Sequence, residues 1–395
     1  MRSLLKIIFI ITLLELFVGG GGRVFEIGAA TLRMVLFFLN LIIASLLYVY
    51  KASIPKYVLA IFTIWLMVLL FYAGLGWLND APFVLIAEDV KPLSYFFGIL
   101  FFSYYIDREE RVHLVASLIK KSSLFLAIVY ILIQVGFILG RIDFMWFYNY
   151  ANSQISPSDF IFRGTGGLFF YKGFIYMVVG LIFWIHSEKS RWKNISILII
   201  SAAMILTGTR GFILMFGLLY ALVYGIPLLM RLNVKVLLLA ALLAMGSIYF
   251  FGNFEIGDKA LSDSIRVKQL VQVAERINPL SFFIGHGFGV GVPVREIHME
   301  IAYLEVFHKQ GILGLGLWGL FFSFLYKAYI RAKNFMDIRK AFFLGVCFVL
   351  LVSLTNPIFN NPIGISLFMI ALASLQVLNK LAPRGTTDQT KQAVR

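Results

Sequence analysis

Long apolar stretches alternate with short polar ones from one end of this chain to the other. The apolar runs are close to the ~20 residues that a helix needs to cross ~30 Å of hydrocarbon. Twelve stand out: 4–18, 27–50, 57–75, 92–106, 122–140, 168–186, 195–209, 210–229, 236–251, 301–326, 341–355 and 363–380. Outer-membrane barrels read instead as short alternating segments, so the pattern predicts helices. The run at 4–18 has the length of a signal peptide. It lacks a small-residue cleavage site and another apolar segment follows at once, so it is expected to be a retained first span. Two connections are long, 141–167 and 252–300, and long ordered loops in a compact chain usually carry function. Within the second, Val267, Leu270, Val271, Ala274 and Ile277 recur at helical spacing, with Arg266, Lys268, Gln272 and Glu275 largely off that stripe. This predicts an amphipathic helix over 259–278 that lies on the membrane face or packs on the bundle.

Composition agrees with the pattern. Apolar residues make up 60% of the 395 residues, charged ones 14%, and the mean hydropathy is +0.88. A soluble fold cannot bury that much apolar surface. The single cysteine, Cys347, lies in an apolar run and excludes a disulfide framework or a cysteine metal site. The formal charge of +15 is a topology signal rather than a nucleic-acid footprint. With both termini in the cytoplasm, Lys51, Lys56, Arg108, Arg111, Lys120, Lys121, Lys189, Arg191, Lys193, Arg231, Lys235, Lys327, Arg331, Arg339 and Lys340 all fall on the inner side. The expectation is one integral membrane domain over 1–395, its polar tail 382–395 cytoplasmic. Glu15, Arg33 and Lys172 place charge within or near the spans, and each could sit at an interface. Transporters bury acids and bases as relays, so chemistry at the outer surface is favoured over conduction.

Polar chemistry concentrates in Phe282-Phe-Ile-Gly-His-Gly-Phe-Gly-Val-Gly-Val-Pro293 and the stretch from Ile297 to Gly314. Gly285, Gly287 and Gly289 permit positive φ, and their amides could form an anion nest; such loops are also often only flexible. Arg163, Arg210, Arg266 and Arg276 face outward in the predicted topology. Guanidinium is planar and always charged, and fits phosphate oxygens in pairs; the plainer reading of any one of them is a headgroup anchor or a structural ion pair. His298 and Glu300 are candidate bases toward a hydroxyl. A metal set would join His286, His298, Glu300 and Glu305, but the spacing matches no zinc pattern, so no metal and no cofactor are expected. His308 reads as a helix-face residue. Glu88 and Asp89 read as an acid pair or, more commonly, a solvated turn.

Three pieces in this order resemble the O-antigen polymerase/O-antigen ligase superfamily. They are Thr207-Gly-Thr-Arg-Gly211; Asp263-Ser-Ile-Arg266 opening a helix that ends near Asn278-Pro279, followed by Phe283-Ile-Gly-His-Gly-Phe-Gly289; and His298 with Tyr303-Leu-Glu305 and Gly311-Ile-Leu-Gly314. The resemblance covers about 160–330. One departure stands out: Glu300 occupies the position three before the tyrosine where the family has histidine, Ile301 replaces the usual Asn, and His298 lies further upstream. The resemblance implies an all-α polytopic membrane protein of about twelve helices, GT-C-like, with its long periplasmic loop between the ninth and tenth spans. It implies glycosyl transfer at the periplasmic face of a bacterial inner membrane from a glycan on undecaprenyl pyrophosphate. Arg210, Arg266, Arg163 and Arg276 would hold pyrophosphate, and His298 or Glu300 would activate the acceptor hydroxyl. Joining of lipid-linked repeat units (a polymerase) is preferred to transfer onto lipid A-core (a ligase). The partners implied are lipid-linked oligosaccharides, membrane lipids and a chain-length regulator protein, with no nucleic acid. A lipid-oligosaccharide flippase is the alternative of another class.

Overall fold

The computed structural model describes residues 2–22, 26–27, 30–151, 153, 159–163, 167–225, 259–332 and 335–381. The predicted span 236–251 and the tail 382–395 lie outside them. The chain is mostly helical. In order come α1 (Arg2–Val18), a two-residue strand pair β1–β2 (Glu26–Ile27, Ala30–Thr31), α2 (Leu32–Lys51), α3 (Lys56–Leu78) and α4 (Phe83–Leu93). A 3-10 turn (Ser94–Gly98) joins α4 to α5 (Ile99–Tyr105), and α6 (Glu109–Ile138) and α7 (Phe144–Tyr150) follow. The hairpin β3–β4 (Phe160–Arg163, Leu168–Tyr171) leads to α8 (Phe174–Ile185), α9 (Lys193–Leu206) and α10 (Arg210–Tyr220). The last described elements are α11 (Lys259–Arg276), α12 (Pro279–Ile284), α13 (Ala302–Arg331), α14 (Met336–Val352) and α15 (Pro362–Leu381).

Among the described residues, α2, α3, α6, α13 and α15 are long and apolar enough to cross a membrane; the apolar helices at 174–185, 193–206 and 210–225 are shorter. On α2, Val35, Phe38, Ile42, Leu46 and Val49 are exposed at three- and four-residue spacing while Leu36, Asn40 and Ala44 are buried. One greasy face turned outward is what lipid solvates, and the molecule is a helical membrane protein. α8 is the innermost helix, with every residue from Phe174 to Phe183 buried.

Two predicted spans are built differently from the single helices expected. The run 92–106 is broken into the end of α4, the 3-10 turn and α5, because Pro92 removes an amide donor at the join. The run 168–186 starts as strand β4 and becomes a helix only at Phe174. Phe160, Phe162, Phe169 and Tyr171 alternate and stack across the β3–β4 pair, and aromatic residues at that spacing favour a pleated strand. The charges near the spans are paired rather than free at an interface. Arg33 meets Glu15 with both side chains buried, and Lys172 lies 3.4 Å from Asp159.

One end of the bundle gathers the loops of interest. Phe170 on β4 packs on Phe212 of α10, Gly211 faces Thr355 and Asn356 between α14 and α15, and Phe288 packs against Tyr72 of α3.

Candidate functional site

The glycine loop begins where α12 stops. Asn278 and Ser281 cap that helix reciprocally around Pro279, and Gly285 ends it at φ 74°. Gly287 and Gly289 also have positive φ, 86° and 80°. The chain then threads between three helices. The amide of His286 donates to the His308 carbonyl (3.0 Å), Gly287 to Lys309 (2.9 Å) and Phe288 to Tyr72 (2.9 Å), while Gly289 donates to Asp89 Oδ2 (2.7 Å). A Cβ on Gly287 would fall on the backbone of Gly76, and one on Gly285 on that of Lys309 and Gln310. The glycines therefore serve close approach, and these amides are spent inside the protein. The anion nest that Gly285, Gly287 and Gly289 suggested is not formed.

Below the loop is a buried charge cluster. α13 is interrupted at Gly311 (φ 65°, ψ −166°), where the backbone of Phe283 and Ile284 passes, so its first nine residues form a separate short segment. Glu305 and Lys309 stand one turn apart on it. Lys309 Nζ lies 2.7 Å from Glu305 Oε1, 2.7 Å from Asp89 Oδ1 and 2.6 Å from the Ile297 carbonyl. Glu305 Oε2 accepts from Asn360 Nδ2 at 2.9 Å. All three charged side chains are about 95% or more buried. His298, half-exposed, places Nδ1 3.4 Å from Glu305 Oε1. Asp89, Phe288, His298, Glu305, Lys309 and Asn360 line a partly open pocket with about 300 Å³ of empty space, counting its mouth.

Asp89, His298 and Glu305 each offer an atom within 4.8 Å of the others, the ligand spacing of a cation site, and no other such group occurs among the described residues. Here the ammonium of Lys309 already stands between the two carboxylates, so a metal ion would have to displace it. The metal set considered from the sequence is not assembled: His286 packs on the tilted ring of His308 with centroids 4.6 Å apart, and Glu300 turns to arginines. Burial, then the nearby Arg276 charge, holds His286 below the ordinary histidine range. Asp89 is not in a solvated turn, as its sequence context suggested; it stands on α4, buried against Lys309 of α13. His308 is fully inside rather than on an open helix face.

The arginines occupy the adjoining wall. Arg266 Nε lies 3.1 Å from Glu300 Oε2, and Arg295 Nη2 is 3.1 Å from Glu300 Oε1. The Glu300 amide donates to Gln269 Oε1 on α11. Glu300 thus has an arginine on each carboxylate oxygen. Arg266 also reaches the carbonyl of Thr355 (3.4 Å). The turn 207–211 meets the same residue from the other side: Gly208 takes φ 61°, and Gly211 faces Thr355 and Asn356. Arg210, the first residue of α10, is thus brought to the same Thr355 turn as Arg266. Its Nε and Nη2 are buried and have no hydrogen-bond partner among the described residues. Guanidinium cannot shed its proton, so burial without an acceptor is costly, and an anion would relieve it.

Arg276 does not join this pair. It lies ten residues along α11 from Arg266, about 15 Å by helical rise, and donates to the Gly291 carbonyl. Arg163 is placed only by its backbone, at the end of β3 opposite Leu168.

Sequence reasoning passed over Lys309, Arg295 and Asn360. Glu305 and Lys309 at i,i+4 inside an apolar run were a usable signal. So was the polar turn Asn356-Pro-Ile-Phe-Asn-Asn-Pro362 between two apolar runs.

No family model matches the chain. It is 28% identical to an O-antigen polymerase of Shigella flexneri, over 96% of this chain and 99% of that protein. The resemblance read from residues 160–330 extends to nearly the whole sequence.

Proposed function

We propose that this chain is a polysaccharide polymerase that joins oligosaccharide repeat units carried on undecaprenyl pyrophosphate, at the periplasmic face of the inner membrane and with both termini in the cytoplasm. The observation that carries this reading is Arg210, two of whose guanidinium nitrogens are buried with no hydrogen-bond partner among the described residues, next to Gly211, which faces the Thr355 whose carbonyl Arg266 reaches. The full-length similarity to an O-antigen polymerase supports it.

In the reaction, the hydroxyl oxygen of one lipid-linked unit attacks the anomeric carbon of the other. The bond from that carbon to the diphosphate oxygen breaks, and the diphosphate leaves with the electron pair. Arg210 and Arg266 stabilise the charge that develops there, which is worth most in a fixed, water-poor site. The hydroxyl proton passes to Nε2 of His298, whose Nδ1–H points to Glu305. Glu305 is itself held by Lys309 and Asn360. Of the two base candidates, His298 fits the role and Glu300 fits that of an arginine clamp. The Lys309 ammonium fills the cation position between the carboxylates, so the step runs on this chain's own charges.

Replacing Arg210 with Met in the producing cell and resolving the glycan on a gel tests the reading. Loss of long chains with single units still attached is expected. Loss of all attachment with lipid-linked polymer accumulating would mean a ligase, and long chains unchanged at normal protein level would remove Arg210 from the mechanism.

A further inference from the structure

A second, partly open pocket, with about 310 Å³ of empty space counting its open mouth, lies apart from the His298 site, between α1, α2, α5 and α15. Leu16, Leu36, Phe37, Phe101 and Phe102 make its walls apolar, and Arg33 and Glu15 form its polar end. Arg33 is 5% exposed. Its Nε faces both oxygens of Glu15 (2.9 and 3.2 Å) and its Nη2 the Glu15 carbonyl (3.4 Å). Nη1 is buried and has no partner among the described residues. A guanidinium offers five donors, and here one edge is closed while the opposite corner is not.

Charge selects what that corner takes. Glu15 already neutralises Arg33, so a further anion would sit beside a carboxylate in a low-dielectric site and be repelled. The open N–H therefore calls for an uncharged oxygen, and the walls call for a hydrocarbon continuation. Glu15 is near the last turn of α1 and Arg33 in the first turn of α2, which sets the polar end at the depth of a helix terminus rather than mid-span. We infer that this cavity binds the ester carbonyl and first carbons of one acyl chain of a membrane glycerolipid, selected without regard to headgroup charge. A bound chain would tie α1 and α2 to α5 and α15.

Native mass spectrometry of the whole protein in mild detergent tests this, with a zwitterionic diacyl phospholipid, an anionic one and a polyprenyl monophosphate as probes. Wild type is expected to keep one diacyl lipid through washing, the two headgroups held within about twofold of each other. Ser366→Phe fills the cavity from α15 and Thr12→Leu narrows it from α1; both leave Glu15 and Arg33 paired, and either is expected to release that lipid. Glu15→Gln uncovers the arginine charge and should swing preference to the anionic probes by about tenfold. Wild type that retains no lipid, so that the corner holds only water, would overturn the inference. So would a tenfold wild-type preference for polyprenyl phosphate, or retention of the diacyl lipid unchanged by both cavity-filling variants.

Discussion

The glycine loop 285–289 and the turn 207–211 are both glycine-bearing connections at the same end of the bundle, and they use their polar groups in opposite ways. In the loop, the amides of His286, Gly287, Phe288 and Gly289 all close on α3, α4 and α13. In the turn, Gly208 takes the positive φ of the bend, and Nε and Nη2 of the Arg210 guanidinium are buried without an acceptor among the described residues. The conspicuous motif is scaffold, and the plain one holds unspent charge. Polar groups that find partners within the chain add to its stability. A buried charge that finds none costs stability and makes sense where a ligand completes it.

This contrast predicts different failures on the two sides. Lys309→Met leaves Asp89 and Glu305 buried without their counter-charge, which should cost about 3–5 kcal/mol. The protein should lose folded yield and melt early, and neutralising both acids in the same chain (Asp89→Asn with Glu305→Gln) should recover most of it. On the other side, Arg210→Met should leave thermal unfolding unchanged or slightly raised while chain extension falls by about 10²–10³. If that variant unfolds like Lys309→Met, the contrast is broken.

Glycine substitutions sharpen the scaffold side. Gly287→Ala combines a positive φ with a collision against the Gly76 backbone and should cost about 3 kcal/mol. Gly140→Ala, with φ 64° and no atom within 4 Å of the added carbon, should cost only about 1 kcal/mol. Equal losses in unfolding experiments would mean that close packing is not what the loop glycines provide. Glu300→Gln should slow extension by about tenfold, since it weakens the positioning of Arg266 and Arg295 while leaving His298 in place. An effect as large as that of His298→Ala would make Glu300 the base.

The smallest effect is in pH. His286 in the folded loop titrates below its ordinary 6.5. Below that value the unfolded histidine binds a proton that the folded one refuses, so loop stability falls as the pH drops and is flat above it. Hydrogen exchange of the Gly287 and Gly289 amides should quicken between about pH 6.5 and 5. Exchange that is unchanged over that range would remove His286 from the account.

Much of this architecture was legible in the residue pattern. The periodicity of Val267, Leu270, Val271, Ala274 and Ile277 predicts a helix where α11 runs, and the apolar runs predict α2, α3, α6, α13 and α15 to within a few residues, although α6 begins at Glu109, well before the apolar run itself. The hairpin β3–β4 was hidden, because a strand of alternating aromatics at 168–171 merges into an apolar helix and hydropathy alone cannot separate them. At the site, Arg210, Arg266, His298 and Glu300 could be named because each interrupts its surroundings. Their pairing could not. Glu300 turning to Arg266 and Arg295, and Asp89 meeting Lys309 across 220 residues, depend on how distant helices pack.

The most direct test of the central claim is to give purified protein a synthetic polyprenyl-diphosphoryl oligosaccharide and follow both products at once. The account predicts a ladder of longer glycans with one carrier diphosphate released for each bond formed, and near-complete loss of both with Arg210→Met at equal protein. Binding of the lipid without any longer glycan, or a ladder that the Arg210 variant makes as fast as wild type, would contradict it.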